Sequence, residues 1–202
     1  MRKISAIIVA MLATFQCFAA LTAENVLDKV AAVLTGPQSV SVTFGFSGSG
    51  GAGSGTMTVC KEKFSYNAGD IVVWYNGKYQ WTLQRSAKEV SLTEPTAAEL
   101  VESNPFQVVS GFRNNFTCKM LPAPKGQYKV SLTAKSKAAA IKSAVITVNA
   151  RTFVPISIKA DMSGNTSTTV TVKSFTKGSA LPKSYFEFDA KMNKNVELID
   201  LR

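Results

Sequence analysis

Cys60 and Cys118 carry the most reactive side chains in the body of this chain, and each lies in a strand-like stretch. As a pair in an exported protein they could close a disulfide, or they could remain two buried free thiols; geometry decides between the two. As nucleophiles they lack the usual partner, because none of the 202 residues is a histidine. That absence removes Ser-His-Asp and Cys-His catalysis, much general acid–base work and most zinc sites. Neither a Gly-x-Ser-x-Gly nor a His-Glu-x-x-His pattern occurs. The glycine-rich run over residues 48–55 lacks the Gly-Lys-Ser/Thr ending of a phosphate loop and is expected to be a flexible hairpin connection. No carboxylate pair has a spacing suited to an acid–base cleft. The expectation is a non-enzyme with no catalytic residue, no metal site and no cofactor.

Charge narrows the partners. Lysine and arginine total 23 against 13 acidic residues, a formal net charge of +10. The lysines are scattered, as on a solvated surface, and form no dense run of the kind that grips nucleic acid. The N-terminus adds a compartment. Arg2 and Lys3 precede an apolar run over residues 4–15, and Cys17-Phe18-Ala19 supplies a small–x–small cleavage pattern. This order reads as a secretory signal peptide over residues 1–19. Cys17 follows Thr14-Phe15-Gln16, a poor match to the site of an acylated cysteine, and cleavage after Ala19 discards it. Losing Arg2 and Lys3 lowers the net charge from +10 to +8. Residues 20–202 are expected to form one domain, exported to the periplasm, where nucleic acid is not a partner.

The elements that would position any site follow from periodicity. Val26, Leu27, Val30, Val33 and Leu34 share one face of a helix over residues 22–34, with Thr22 as N-cap and Gly36-Pro37 as the stop. Alternation then predicts strands around Val40–Phe46, Met57–Val59, Phe64–Tyr66, Ile71–Tyr75, Tyr79–Leu83 and residues 89–93, with Asn76-Gly77 as a tight hairpin turn. At Thr96 the period changes. Thr96 and Glu99 make a capping box, Leu100 and Val101 follow, and Asn104-Pro105 opens a second short helix that Gly111 can end. Strands are expected again over residues 116–121, 128–133, 144–149, 154–162, 168–175 and 185–188. This predicts a mainly β chain of about ten or eleven antiparallel strands with an N-terminal helix and a central helical insertion. A sheet that large curls into a barrel or half-barrel.

Several phrases, in this order, resemble the LolA family of periplasmic outer-membrane lipoprotein carriers. They are Val26-Leu27-Asp28-Lys29-Val30; Gly55 through Lys61 followed by Phe64-Ser65-Tyr66; Asn76-Gly77-Lys78-Tyr79-Gln80-Trp81; Asn104-Pro105-Phe106-Gln107-Val108-Val109; and Leu181-Pro182 through Phe188, closing on Val196–Asp200. The resemblance spans residues 23–202. It implies an incomplete antiparallel barrel with a helical lid over an apolar cavity. It also implies acylated lipoprotein cargo, taken from an inner-membrane ABC-type release complex and passed to an outer-membrane acceptor. Lys61 stands where the family has a functionally important Arg; it keeps the charge but loses the planar fork. Tyr66 stands where the family has a Trp, which adds a hydroxyl to an apolar wall.

A carrier of this kind needs no catalytic group, since each buried CH₂ contributes about 0.8 kcal/mol. The candidate ligand-binding residues are Leu27, Phe64, Tyr66, Trp81, Phe106 and Val109 as apolar lining, with Lys61 as a gate or headgroup contact. A monomer is expected. The alternative is a related hydrophobic-ligand-binding or structural envelope β-protein without lipoprotein transport.

Overall fold

The computed structural model describes residues 21–97, 99–100, 104, 106–191 and 193–202. The expected signal peptide, Val101 and Pro105 lie outside the described residues. Helix α1 spans Ala23–Leu34, and the Thr22 hydroxyl accepts from the Asn25 amide at 3.2 Å, as its N-cap role requires. Six strands follow: β1 (Val40–Gly48), β2 (Gly51–Cys60), β3 (Lys63–Ala68), β4 (Ile71–Tyr75), β5 (Gln80–Gln84) and β6 (Glu89–Thr93). Two short helices, α2 (Gln107–Ser110) and α3 (Phe112–Asn115), precede β7 (Phe116–Leu121), β8 (Gln127–Ala134), β9 (Ile141–Asn149), β10 (Pro155–Met162) and β11 (Ser167–Lys177). A 3₁₀ turn at Lys183–Phe186 and β12 (Glu197–Asp200) complete the chain.

All 12 strands form one sheet in the order β12-β6-β5-β4-β3-β2-β1-β11-β10-β9-β8-β7. Two meanders meet where β1 pairs with β11. Every pairing is antiparallel except β12 with β6. Strands β7 and β12 remain as edges, so the sheet is open rather than a closed barrel. Its concave face carries one continuous core. Alternate residues from β1–β4 and β7–β11, such as Val42, Phe64, Val73, Leu132 and Ile146, meet Val26, Leu27 and Val30 of α1 and Phe106, Val109 and Phe112 of the helical insertion.

The other face has its own small core. Val72, Leu83 and Val90 pack there with Trp74, Trp81, Phe188 and Val196. The C-terminal segment thus crosses the convex side, and the Trp74 and Phe188 rings meet edge to face at 5.8 Å.

Two expectations are corrected. The glycine-rich run is mostly strand: only residues 49–50 turn, and the hairpin then pairs Phe46 with Gly53 and Phe44 with Gly55. A Cβ on Gly53 would lie 2.7 Å from the Phe46 ring, and one on Gly55 would lie 2.8 Å from the Phe44 ring. Glycine is there to seat two aromatic rings across the strand pair. The segment at 185–188 is not a strand: a 3₁₀ turn buries Phe186 completely against this side of the sheet. The strand beyond it, β12, is exposed along its whole length and so shows no alternating burial to read.

Geometry decides the question left open for the two cysteines. Cys60 and Cys118 are both free thiols. Strands β2 and β7 stand six places apart in the sheet, at about 4.8 Å per place, far beyond the roughly 7 Å Cα limit of a disulfide. Cys118 packs against the concave core and Cys60 alternates onto the other face. Burial raises the pKa of the Cys118 thiol, with Glu24 adding to the effect. Titration with a thiol reagent in denaturant should find both cysteines reactive without reductant, with Cys60 slow in the native protein; an absence of reactive thiol before reduction would contradict the sheet order.

Candidate functional site

Five of the seven predicted lining residues converge. Leu27, Phe64 and Val109 are fully buried and Phe106 nearly so, all in the concave cluster, while Tyr66 packs against its margin. The pairing places them. Met57 lies opposite Tyr66, Val59 opposite Phe64 and Phe64 opposite Tyr75, so one row of side chains crosses β2, β3 and β4 on the concave face. The Phe64 and Tyr75 rings are 5.3 Å apart. Burial pushes the Tyr66 phenol pKa up, and does the same for Tyr75 with help from the Glu62 charge. Both phenols stay neutral at any physiological pH, which suits an apolar wall.

Trp81 is not brought to this site. It pairs with Trp74 and Leu92 and faces the convex cluster, because the two-residue period of β5 sends Leu83 and Trp81 to the same side. Lys61 lies at the rim. It occupies the two-residue turn between β2 and β3 with φ 56°, a conformation that costs a non-glycine residue of order 1 kcal/mol. Its side chain borders a hollow of about 360 Å³ with Glu62, Tyr75, Leu100, Gln107, Ala31 and Thr35. A second hollow of about 390 Å³ opens where the two ends of the insertion meet the β8–β9 loop. Ala97, Phe116, Ile141 and the small residues of the β8–β9 loop give it a more apolar lining.

The helical insertion acts as a plug between these two openings. Its capping box forms: the Thr96 hydroxyl accepts from the Glu99 amide at 3.3 Å, and a Glu99 carboxylate oxygen accepts from the Thr96 amide at 2.7 Å. Asn104 is buried, and its Oδ1 accepts from the Phe106 amide at 2.9 Å, but this closes a turn ahead of the helix: α2 begins at Gln107 with Phe106 at its N-cap, so the predicted Asn104 cap is not the one the helix uses. Phe106, Val108, Val109 and Phe112 then fill the concave face beneath the plug. The expected open cavity is therefore occupied by the lid's own side chains. Among the described residues, two side-chain ties join it to α1 and to the end of β8. Arg113 makes a two-point ion pair with Asp28 of α1, and the Lys135 ammonium donates to the Arg113 carbonyl at 2.7 Å. With side chains 56% and 47% exposed, the Arg113–Asp28 pair contributes less than about 1 kcal/mol. Asp28→Asn should shift the unfolding midpoint by no more than that while speeding uptake of a fluorescent acyl probe; a loss of several kcal/mol would make the pair a structural keystone instead.

Sequence reasoning missed Val73, Tyr75 and Phe112 as members of this cluster. The unbroken apolar run at Ile71–Tyr75 conceals which side chains face which way. No group of acidic or cysteine side chains among the described residues could hold a metal ion.

The comparisons with known proteins bear on this geometry. The family model for outer membrane lipoprotein carrier protein LolA matches residues 12–164, well over half of the chain. The chain belongs to the LolA family. LolA-family proteins are binding and carrier proteins, not enzymes, and the open sheet with its helical plug is the scaffold on which this member is built. Among solved structures, an uncharacterized conserved protein of Thermus thermophilus shares the fold, with a TM-score of 0.60 at 10% identity, covering 88% of this chain and 98% of that one. A LolA superfamily protein of Nitrosomonas europaea aligns with a TM-score of 0.45 at 12% identity over 84% of this chain and 99% of its own. No curated protein sequence matches this one.

Proposed function

We propose that this LolA-family member is a periplasmic carrier that holds the acyl chains of lipoproteins against the concave face of its sheet and moves them between the inner and outer membranes. The observation that carries this reading is the helical plug. A large apolar surface is covered by a short insertion whose polar anchors are exposed and weak. The periplasmic setting rests on the signal-like N-terminus and on the family. An inner-membrane ABC-type release complex and an outer-membrane acceptor are the partners this role requires.

Magnitudes set a condition on the cargo. Exposing Phe106, Val108, Val109 and Phe112 would cost about 6–12 kcal/mol together, at roughly 1.5–3 kcal/mol for each buried apolar side chain. A chain that buries ten methylenes regains roughly 8 kcal/mol before ordering costs. Long acyl chains can therefore displace the lid, and short ones cannot. Titration with saturated fatty acyl probes of increasing length should show negligible binding below about ten carbons and a steep gain above it. The alternative reading is a structural envelope protein with a permanently filled interior, which the burial of the Phe106, Val108, Val109 and Phe112 side chains favours. Mass spectrometry of organic extracts decides between them: co-purified lipid or lipopeptide supports carriage, and a clean extract together with no probe binding at any length refutes it.

A further inference from the structure

A third hollow lies beside the Lys61 rim, and it is basic. Lys61, Lys63, Lys78 and Lys183 border a space of about 500 Å³ together with Glu62, Asn76 and Gly77. That volume falls within the roughly 300–1,000 Å³ of ordinary ligand sites. Four lysines from three separate places in the chain reach it: the β2–β3 turn, the β4–β5 turn and the start of the 3₁₀ turn on the convex side. Lys183 is held by Glu187 at 3.4 Å, and Glu187 is fixed in turn by the Asn76 side-chain amide at 2.8 Å. Lys78 lies 4.7 Å from the Tyr79 ring centroid. Lys61 and Lys63 have no carboxylate within ion-pair distance among the described residues. Four ammonium groups face the Glu62 and Glu187 carboxylates, and the Glu94 charge also acts on Lys78, which leaves a net positive charge at the hollow. Lys61 and Glu62 also border the hollow at Tyr75, Leu100 and Gln107 beside the lid, so the basic hollow and that one share a wall.

We propose that this hollow binds a phosphate-type anion, and that the anion is the headgroup of an amphiphile whose acyl chain enters beneath the lid. The proposal rests on the carrier reading above for the acyl half and adds the headgroup chemistry. An ammonium cluster at the rim suits a phosphate because charge-assisted hydrogen bonds to ionised acceptors are about twice as strong as neutral ones. Lysine also tolerates headgroups of varied geometry, since it acts as a mobile point charge rather than a planar fork. Lys61, as a shared wall residue, would then register the head while the chain lies against Phe64 and Tyr75.

The test compares palmitoyl lysophosphatidylglycerol with palmitoyl lysophosphatidylcholine, both below their micelle concentrations, with inorganic phosphate as a separate arm. The full chain should bind the anionic lipid about tenfold more tightly than the zwitterionic one, and the preference should shrink as salt is raised. Lys63→Gln with Lys183→Gln should cut that preference to less than about threefold, by weakening the anionic lipid more than the zwitterionic one; Lys125→Gln with Lys159→Gln, at exposed sites elsewhere, should leave it intact. Inorganic phosphate should displace the anionic lipid's preference in the wild-type chain. Equal affinity for the two lipids, or a preference that survives Lys63→Gln with Lys183→Gln, would overturn the headgroup site alone. Lysine-dependent phosphate binding that fails to compete with the anionic lipid would assign the hollow to a free anion and overturn the headgroup proposal. Failure of either lipid to bind at all would instead overturn the carrier reading.

Discussion

Val109→Asp should release the lid and leave the sheet standing. Val109 is fully buried between the insertion, α1 and the sheet. An aspartate there loses about 1.5–3 kcal/mol of apolar burial, and an unpaired buried carboxylate adds several kcal/mol. The lid's polar anchors cannot offset that, because the Arg113–Asp28 pair is solvent-exposed. The cheapest outcome is to swing the insertion outward and hydrate the charge. Hydrogen exchange should then show lost protection over residues 106–115 with strands β8–β10 still protected, and a hydrophobic dye should bind the bared concave face. Cooperative unfolding of the whole chain would make the insertion part of the foundation. Unchanged protection throughout would mean that Val109 has no role in holding it.

Phe64→Ala should act on the sheet itself. Phe64 is fully buried on β3, faces Val59 and Tyr75 across its neighbours, and belongs to the core that every concave strand shares. Truncating such a ring costs about 3–5 kcal/mol. At roughly 2–4 °C per kcal/mol for a chain of this size, the melting temperature should fall by about 6–20 °C, by calorimetry or circular dichroism. The two substitutions together separate the scaffold from its cover: one moves Tm with the lid in place, and the other loosens the lid with little change in the sheet. A Phe64→Ala shift below about 1 kcal/mol would place the structural core elsewhere.

Much of the scaffold can be read from local pattern, because local pattern is what determines it. Thr22, the Val26–Leu34 stripe and the Thr96–Glu99 box are short-range devices, and each appears in its expected role, whereas Asn104 makes a turn ahead of a helix that starts at Gln107. The meanders follow from period-two alternation closed by tight turns such as Asn76-Gly77. What escaped is what depends on long-range partners. Trp81 alternates cleanly, but alternation alone does not tell concave from convex, and only the arrival of Phe188 and Val196 from the C-terminus settles its side. The two-residue spacing of Phe186 and Phe188 imitates a strand, whereas a 3₁₀ turn buries Phe186 and anchors the segment. Glycines at 53 and 55 look like slack in the sequence and serve as seats for rings in the fold. The site itself was legible as composition, in its apolar lining, its nearby cation and its lack of histidine. The filling of the space by Phe106, Val108, Val109 and Phe112 was not, since a lid and a core residue share one apolar signature.

The central claim is that acyl chains replace the lid on the concave face. Methyl-resolved NMR with a stearate carrying a spin label near its chain end tests it most directly. The claim predicts strong broadening of the Leu27, Val109, Val130 and Leu132 methyls, which line the concave core, with Leu83 and Val90 of the convex cluster unaffected. Broadening confined to Leu83 and Val90, or none at saturating probe, would contradict it.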